Sequence, residues 1–501
     1  MQHTEDKYGE TGGSLIVKEE MESARHFMET ALRLGASQAR ISLSKSVLDS
    51  FSILNGELDK VTHAADRSIY MYIFAEGRYG TFSTNMTDAD KAEDFVGKAI
   101  ETVKMLAPDP HRRLPDPART AKDALTGREA GLYDEEYAKV TSEERLAAAL
   151  SGALMCGEDK RKGGLTGALV SGKDRQADRN GTETGMPAGD NWKMISEECE
   201  YSDSVDDNYT IDSQGFAGRH TETSFAFCSE VTIADKNGNR FSGYWWESSP
   251  FRSGLDLKDC SAAALRKAVS QIGPKRHRSG KYSMVVDRSV SSRLVSPLFS
   301  ALNAMAIQQK NSFLDGSLGQ KIFPEGMTIM DLARSCGRPG SRLFDTEGVA
   351  TADAPVILDG VVKEYFVNTY MASKTGFAPT IEGVSRPVLM PFIQGGSSTG
   401  TGLVSEEKEV SLQDILHRCG SGIYVCGFNG GNCNQTTGDF SYGIEGFAFK
   451  DGKITHPVRE MVITGNMISL WNSLLAAGSD ARAGTRWQIP TLAFEGVDFS
   501  A

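Results

Sequence analysis

The sequence predicts an α+β fold, with N-terminal helix/antiparallel-sheet layers followed by a strand-rich, barrel-like C-terminal domain. Three observations carry this. Near the N-terminus, a 3.6-residue apolar period is followed by period-two alternation and then by a second helical face. From Tyr282 onward most apolar runs are short, and tight turns such as Asp359-Gly360 and Asp451-Gly452 join two pairs of them. The stretch 428–447, FNGGNCNQTTGDFSYGIEGF, is dense in glycine and aromatics, as bulges, tight corners or close backbone contacts in a sheet require. At 501 residues, the chain has room for two or three domains with sizeable cores.

Taken in order, residues 1–14 read as a disordered tail. An N-terminal α+β domain spans 15–107. Its first helix carries Ala24, Phe27, Met28, Ala31 and Leu34 on one face, with Gly35 as the stop. Ala39, Ile41 and Leu43 alternate, and Phe51 and Ile53 lead into the Asn55-Gly56 hairpin turn. Residues 68–74 (SIYMYIF) form a second strand, and 79–82 follow the turn at Gly77. Thr87 can cap a helix bearing Phe95, Val96, Ala99, Ile100, Val103 and Leu106. Four prolines mark 108–132 as a linker.

A central α/β region covers 133–280. A helix at 142–155 presents Leu146, Leu150, Ala153 and Leu154 as its core face. Residues 157–193 are polar and glycine-rich and read as an insertion. Strands follow at 209–212, 224–234 and 241–246, then a helix at 257–272. The C-terminal β-rich domain spans 281–501. Within it, 284–286, 354–358, 361–367, 422–427, 443–450, 454–458 and 492–497 read as strands. A helix at 291–309 buries Leu294, Leu298, Leu302 and Met305, and an amphipathic stretch at 467–477 ends at Gly478.

Composition narrows the function classes. The formal charge of −12 argues against nucleic acid as a direct partner, because phosphate binding needs clustered cations. The one basic cluster, Lys275-Arg276-His277-Arg278 with Lys281, reads as a solvated loop. Eight scattered cysteines without C-x-x-C fit reduced thiols and a cytoplasmic location. No signal peptide and no apolar run of membrane-spanning length is visible, so no membrane association is expected.

Candidate chemistry is sparse. The eight histidines show no pair at i, i+4 or i, i+5, the spacings that place two imidazoles on one helix for zinc. The 396–400 run matches G-x-S-x-G, yet a nucleophile elbow needs a strand before it and a helix after it. Cys433 is either a packed thiol or a nucleophile lacking an evident activating cation. Asp439 either orients a ligand or satisfies backbone N–H groups in a glycine-rich corner, and Glu347 poses the same choice. No P-loop or complete dinucleotide fingerprint is present.

Several ordered motifs resemble the TldD/PmbA family, whose members are named as modulators of DNA gyrase. They are 310–319 (KNSFLDGSLG), 344–348 (FDTEG), Asn368-Thr369-Tyr370, Ala372-Ser373-Lys374, and a C-terminal signature. That signature holds Gly438, Asp439, Phe440, Gly446, Gly452-Lys453-Ile454, Pro457-Val458 and Thr464-Gly465-Asn466. TldD-type members carry an HExxxH helix and act as zinc metallopeptidases. The matching positions here are Val295-Ser296-Pro297-Leu298-Phe299-Ser300, with neither histidine nor glutamate.

This departure is similar to the PmbA/TldE branch, which lacks the zinc helix. The resemblance implies a non-catalytic subunit of a metallopeptidase assembly that helps enclose unfolded peptide. It implies no cofactor in this chain, with zinc only in a TldD-like partner subunit, or else a homodimer. Peptide-cleft candidates are Glu347, Gly348, Asn432, Cys433, Asn434, Thr437 and Asp439. Two other readings stand beside this one: a stand-alone hydrolase using Cys433 or an unrecognised metal site, and a peptide-binding homodimer without catalysis.

Overall fold

The computed structural model describes residues 15–85, 89–155, 191–257, 259–394 and 409–501. The expected tail 1–14, the Thr87 cap, the insertion up to residue 190 and the 396–400 run lie outside these residues.

Helix α1 (Lys18–Arg33) leads into a six-stranded sheet. Its strands are β1 (Gln38–Leu54), β2 (Glu57–Ala75), β3 (Arg78–Thr84), β4 (Trp192–Asp212), β5 (Ala217–Asp235) and β6 (Arg240–Ser249). The order is β3-β2-β1-β4-β5-β6, with every neighbouring pair antiparallel. The turn between β1 and β2 places Asn55 at φ 53° and Gly56 at φ 85°, as a type I′ hairpin requires. Helices α1, α2 (Ala89–Met105), α3 (Ser142–Gly152) and α4 (Cys260–Ser270) cover one face. Odd-numbered residues point there: Ile41, Leu43, Phe51 and Ile53 of β1, and Cys199, Tyr201, Val205 and Tyr209 of β4, are buried. Burying one such side chain as large as Phe27 of α1 stabilises the layer by about 1.5–3 kcal/mol. The alternate positions, among them Ser42, Ser44, Ser46, Asp206 and Asn208, stay half-buried on the opposite, polar face.

Two corrections arise in this half. Strand β4 begins at Trp192, so the expected insertion ends earlier than residue 193, and the strand extends far N-terminal of the expected 209–212. Its residues Asp203 and Asp207 are buried acids, which disguise the alternation. They are neutralised by Arg145 and Arg219. Arg145 is itself buried in α3, beside Ala149 and Gly152, so the helix is rotated from the predicted leucine face. Leu146 and Leu150 pack at its margin.

The C-terminal half starts with β7 (Gly280–Val286), α5 (Ser292–Ala301) and α6 (Ala304–Gln308). The expected single helix over 291–309 is therefore broken. Asn303 takes extended backbone and its side chain accepts from Met305 N, capping a new helix. Met305 is consequently 43% exposed rather than core. A small sheet of β8 (Ile329–Asp331), β9 (Ala354–Leu358), β10 (Val361–Val362) and β11 (Pro387–Leu389) follows, with α7 (Thr369–Thr375) between β10 and β11. The expected strand 361–367 shrinks to two residues of β10.

The remaining elements are β12 (Phe392–Ile393), α8 (Leu412–Cys419), β13 (Gly422–Cys433), β14 (Asp439–Lys450), β15 (Lys453–Asn466), α9 (Met467–Asn472), β16 (Leu474–Ala477) and β17 (Leu492–Ser500). The 467–477 stretch thus divides into a helix and a strand. Strand β7 pairs in parallel with β13 and antiparallel with β17. The ring β7-β13-β14-β15-β17 therefore closes into a five-stranded barrel, as barrel closure removes exposed edges. Met284 and Val286 of β7 pack with α5, and Val285 between them packs with α8. Trp471 of α9 is fully buried, and its indole N–H donates to Leu294 O at 3.3 Å, fixing α9 against α5. No helix among the described residues is long and apolar enough to cross a membrane.

Candidate functional site

Helix α5 lies beside the glycine-rich end of the β13–β14 hairpin. Register breaks in β13 between Asn429 and Asn432, where Gly430 (φ 68°) and Gly431 (φ 80°) bulge out of the pairing. A Cβ on Gly431 would lie 1.9 Å from Ser441 O, so only glycine fits there. The bulge brings Gly431 O within 3.3 Å of the Arg293 Nη2 donor on α5. The Arg293 guanidinium also lies 5.3 Å from the Tyr442 ring, which Phe428 meets edge-on at 5.6 Å. Between these elements runs a groove of about 450 Å³, lined by Val290, Ser292, Arg293, Ser296, Phe428 and Trp487.

The loop 434–438 closes on itself. Asn434 Oδ1 accepts from Thr436 N at 2.9 Å, and Asn434 O accepts from Gly438 N at 2.7 Å. The Asp439 carboxylate accepts from Asn466 Nδ2 at 3.0 Å and Thr437 Oγ1 at 2.8 Å. Those two partners, Asn466 first, hold Asp439 below the usual carboxylate range. Asp439 thus ties the hairpin to the end of β15. Asn432, Asn434, Thr437 and Asp439 are all exposed. Cys433 is half-buried opposite Phe440, and burial followed by Asp439 pushes its thiol up, which disfavours a thiolate.

Glu347 and Gly348 lie elsewhere, in the turn 344–348 at the junction with the first sheet. Gly348 O accepts from Ala121 N at 3.0 Å, and Phe344 packs edge-on against Phe216 at 5.4 Å. Glu347 Oε2 accepts from Thr369 N at 2.8 Å and from its hydroxyl at 2.7 Å, securing the start of α7. The seven sequence candidates therefore fall into two places: five in the hairpin and two in this turn. The groove residues Arg293, Phe428 and Trp487 were not among them. Phe428 opens the glycine-rich stretch, and Arg293 stands just ahead of the family helix positions, the only local signals pointing to either.

Asp345 of the same turn gives a pH prediction. Burial, then Glu382 and Glu347, push its carboxyl up from 3.8 to about 6. Its raised folded-state pKa stabilises the protonated form. That contribution is fully present below about 4 and is lost as pH rises through about 6. Thermal melts across this window should show the dependence, and Asp345→Asn should flatten it.

Zinc is the metal that the sequence resemblance implies for catalytic relatives, and the residues at the α5 positions do not fit it. Val295 is fully buried in the core, and Ser296 and Ser300 are exposed hydroxyls. Zinc takes imidazole, thiolate or carboxylate ligands. Among the described residues, no three His, Cys, Asp or Glu side chains gather into a metal site.

The chain matches the PmbA/TldA metallopeptidase C-terminal domain over residues 279–501 and PmbA/TldA metallopeptidase domain 1 over residues 39–103. It is 25% identical to the metalloprotease PmbA of Escherichia coli O157:H7, covering 93% of this chain and 94% of that one. A Bacteroides thetaiotaomicron crystal structure, named as a modulator of DNA gyrase, is similar at 36% identity and a TM-score of 0.82. The match covers 97% of this chain and 100% of that one. TldE from Thermococcus kodakarensis shares the fold, with a TM-score of 0.72 at 16% identity over 96% of this chain and 100% of that one. Because the Bacteroides thetaiotaomicron protein is 36% identical over 97% of this chain, the chain belongs to the PmbA/TldD family.

Proposed function

We propose that this chain is a non-catalytic, PmbA/TldE-like subunit of a cytoplasmic metallopeptidase assembly. It helps enclose and bind unfolded peptide, and a TldD-like partner subunit supplies zinc and bond cleavage. One observation supports this above the rest: α5 offers a valine and two serines where a metal-bearing relative needs imidazoles and a carboxylate, while a groove persists beside it. Arg293 gives that groove a donor, and Phe428 and Trp487 give it apolar walls. A peptide lying there keeps its carbonyls near the guanidinium and its side chains against the rings. Neither nucleic acid nor a membrane enters this role.

The test is fluorescence anisotropy with a labelled, unfolded casein-derived peptide. Phe428→Ala and Arg293→Ala should each weaken binding about tenfold, the equivalent of ~1.4 kcal/mol. Adding a family member that carries HExxxH should turn binding into cleavage. Unchanged affinity in both variants would remove the groove from the account. Recovery of self-associated chain alone from the native cell, with no such partner, would favour a peptide-binding homodimer.

A further inference from the structure

A second cavity, of about 420 Å³, opens where edge strand β6 meets the barrel, and it shares Val290 with the groove. Its walls combine aromatic and cationic groups. The Arg482 guanidinium is held between two rings, 4.5 Å from the Trp245 centroid and 4.1 Å from that of Trp246. Lys267 Nζ of α4 stands 4.4 Å over Trp245, and Arg459 of β15 lies 4.6 Å over Phe241. Stacking fixes these cations before any ligand arrives.

Anions only partly offset them. Glu445 lines the cavity, and Glu247 Oε1 lies 3.5 Å from Arg482 Nη2. Lys267 helps hold the buried Asp287 below its ordinary range against the push of burial. Arg459 Nη2 donates to the neutral Gln271 Oε1 at 3.2 Å, and among the described residues neither Lys267 nor Arg459 has an ion-pair partner within salt-bridge distance. Arg482 is 7% exposed, and its buried Nη1 has no hydrogen-bond partner.

The strand edge adds direction. Ser242 O accepts from Gln271 Nε2 at 2.6 Å, and Trp246 O accepts from Arg482, so both carbonyls point away from β5. By the two-residue period of a strand, the Tyr244 N–H and C=O between them point the same way. Tyr244 itself is among the residues that line the cavity.

We propose that this cavity captures the C-terminal end of a peptide. The free carboxylate lies among Lys267, Arg459 and Arg482, and an apolar final side chain lies against the Trp246 and Pro457 surfaces. The main chain just before it pairs with Tyr244. This rests on the peptide-binding reading and extends it by assigning a polarity to the bound chain.

Matched peptides with an apolar last residue, one ending in a free acid and one in an amide, distinguish the two claims by isothermal titration with the full chain. The acid should bind at least tenfold more tightly. Lys267→Met and Arg459→Gln, checked for unchanged melting temperature, should erase that preference by weakening acid binding at least tenfold more than amide binding. Inorganic phosphate at millimolar concentration serves as a third arm and should compete weakly. Equal affinity for acid and amide would overturn the carboxylate site and leave the peptide reading standing. No binding of either peptide would overturn both. Tight phosphate binding that excludes the acid would assign the cavity to a phosphorylated ligand and likewise overturn the proposal.

Discussion

Replacing Asp207 by alanine is expected to destabilise the protein by about 3–5 kcal/mol, the usual result of stripping one partner from a buried ion pair. Asp207 is fully buried in β4. Its oxygens accept from Arg219 Nε at 2.9 Å and Nη2 at 2.6 Å, and from Thr221 Oγ1 at 3.0 Å. They also accept from the backbone N–H groups of Leu15 and Ile16, each at 3.0 Å. Alanine leaves a buried guanidinium unpaired and two N–H groups unsatisfied, and each such group carries a desolvation cost. The segment before α1 loses its anchor on the sheet at the same time. Urea denaturation measures the loss, and hydrogen exchange at Leu15 and Ile16 should accelerate in the variant. The double change Asp207→Leu with Arg219→Met should recover much of the stability, since neither charge is then stranded. A loss below about 1 kcal/mol for Asp207→Ala would contradict the assignment of this carboxylate as a structural hub.

Gly431→Ala should cost about 2–5 kcal/mol, summing a left-handed non-glycine residue and a clash against fixed backbone. At φ 80°, its Cβ would meet Ser441 O at 1.9 Å and Tyr442 Cα at 2.9 Å. Neither atom can rotate away, so the bulge must open. The bond from Arg293 to Gly431 O then breaks, and peptide affinity should fall with stability. Gly430→Ala supplies the control. Its φ is also left-handed, at 68°, yet a Cβ there meets nothing within 4 Å. Only the conformational cost remains, about 1 kcal/mol. Urea midpoints of the two variants should therefore separate clearly. Equal midpoints would mean that the bulge yields freely and does not set the groove wall.

Local chemistry made much of the fold readable. Asn55-Gly56, Asp359-Gly360 and Asp451-Gly452 each adopt the positive φ values their turns need, so the hairpins announced themselves in dipeptides. What stayed hidden depended on distant partners. Strand β4 reads as polar because Asp203 and Asp207 face the core, and only Arg145 and Arg219, from other elements, make that tolerable. The break between α5 and α6 turns on one side chain, Asn303, inside an otherwise continuous apolar period. The 428–447 stretch itself stands out in the sequence because glycine density is local, but the groove beside it takes only Phe428 from that stretch. Arg293 on α5 and Trp487 in the connection before β17 reach that groove from distant parts of the sequence, and no spacing rule joins them. Nor did the FDTEG motif reveal that Glu347 accepts from Thr369 at the start of α7, beside the Asn368 cap, since Thr369 lies beyond any local window.

The most direct test of the central claim measures bound metal and peptidase activity together on the purified chain alone. The expected result is less than stoichiometric zinc by mass spectrometry, with no cleavage of an unfolded peptide until an HExxxH-bearing relative is added. One tightly held transition metal per chain, with cleavage that a chelator abolishes, would contradict it.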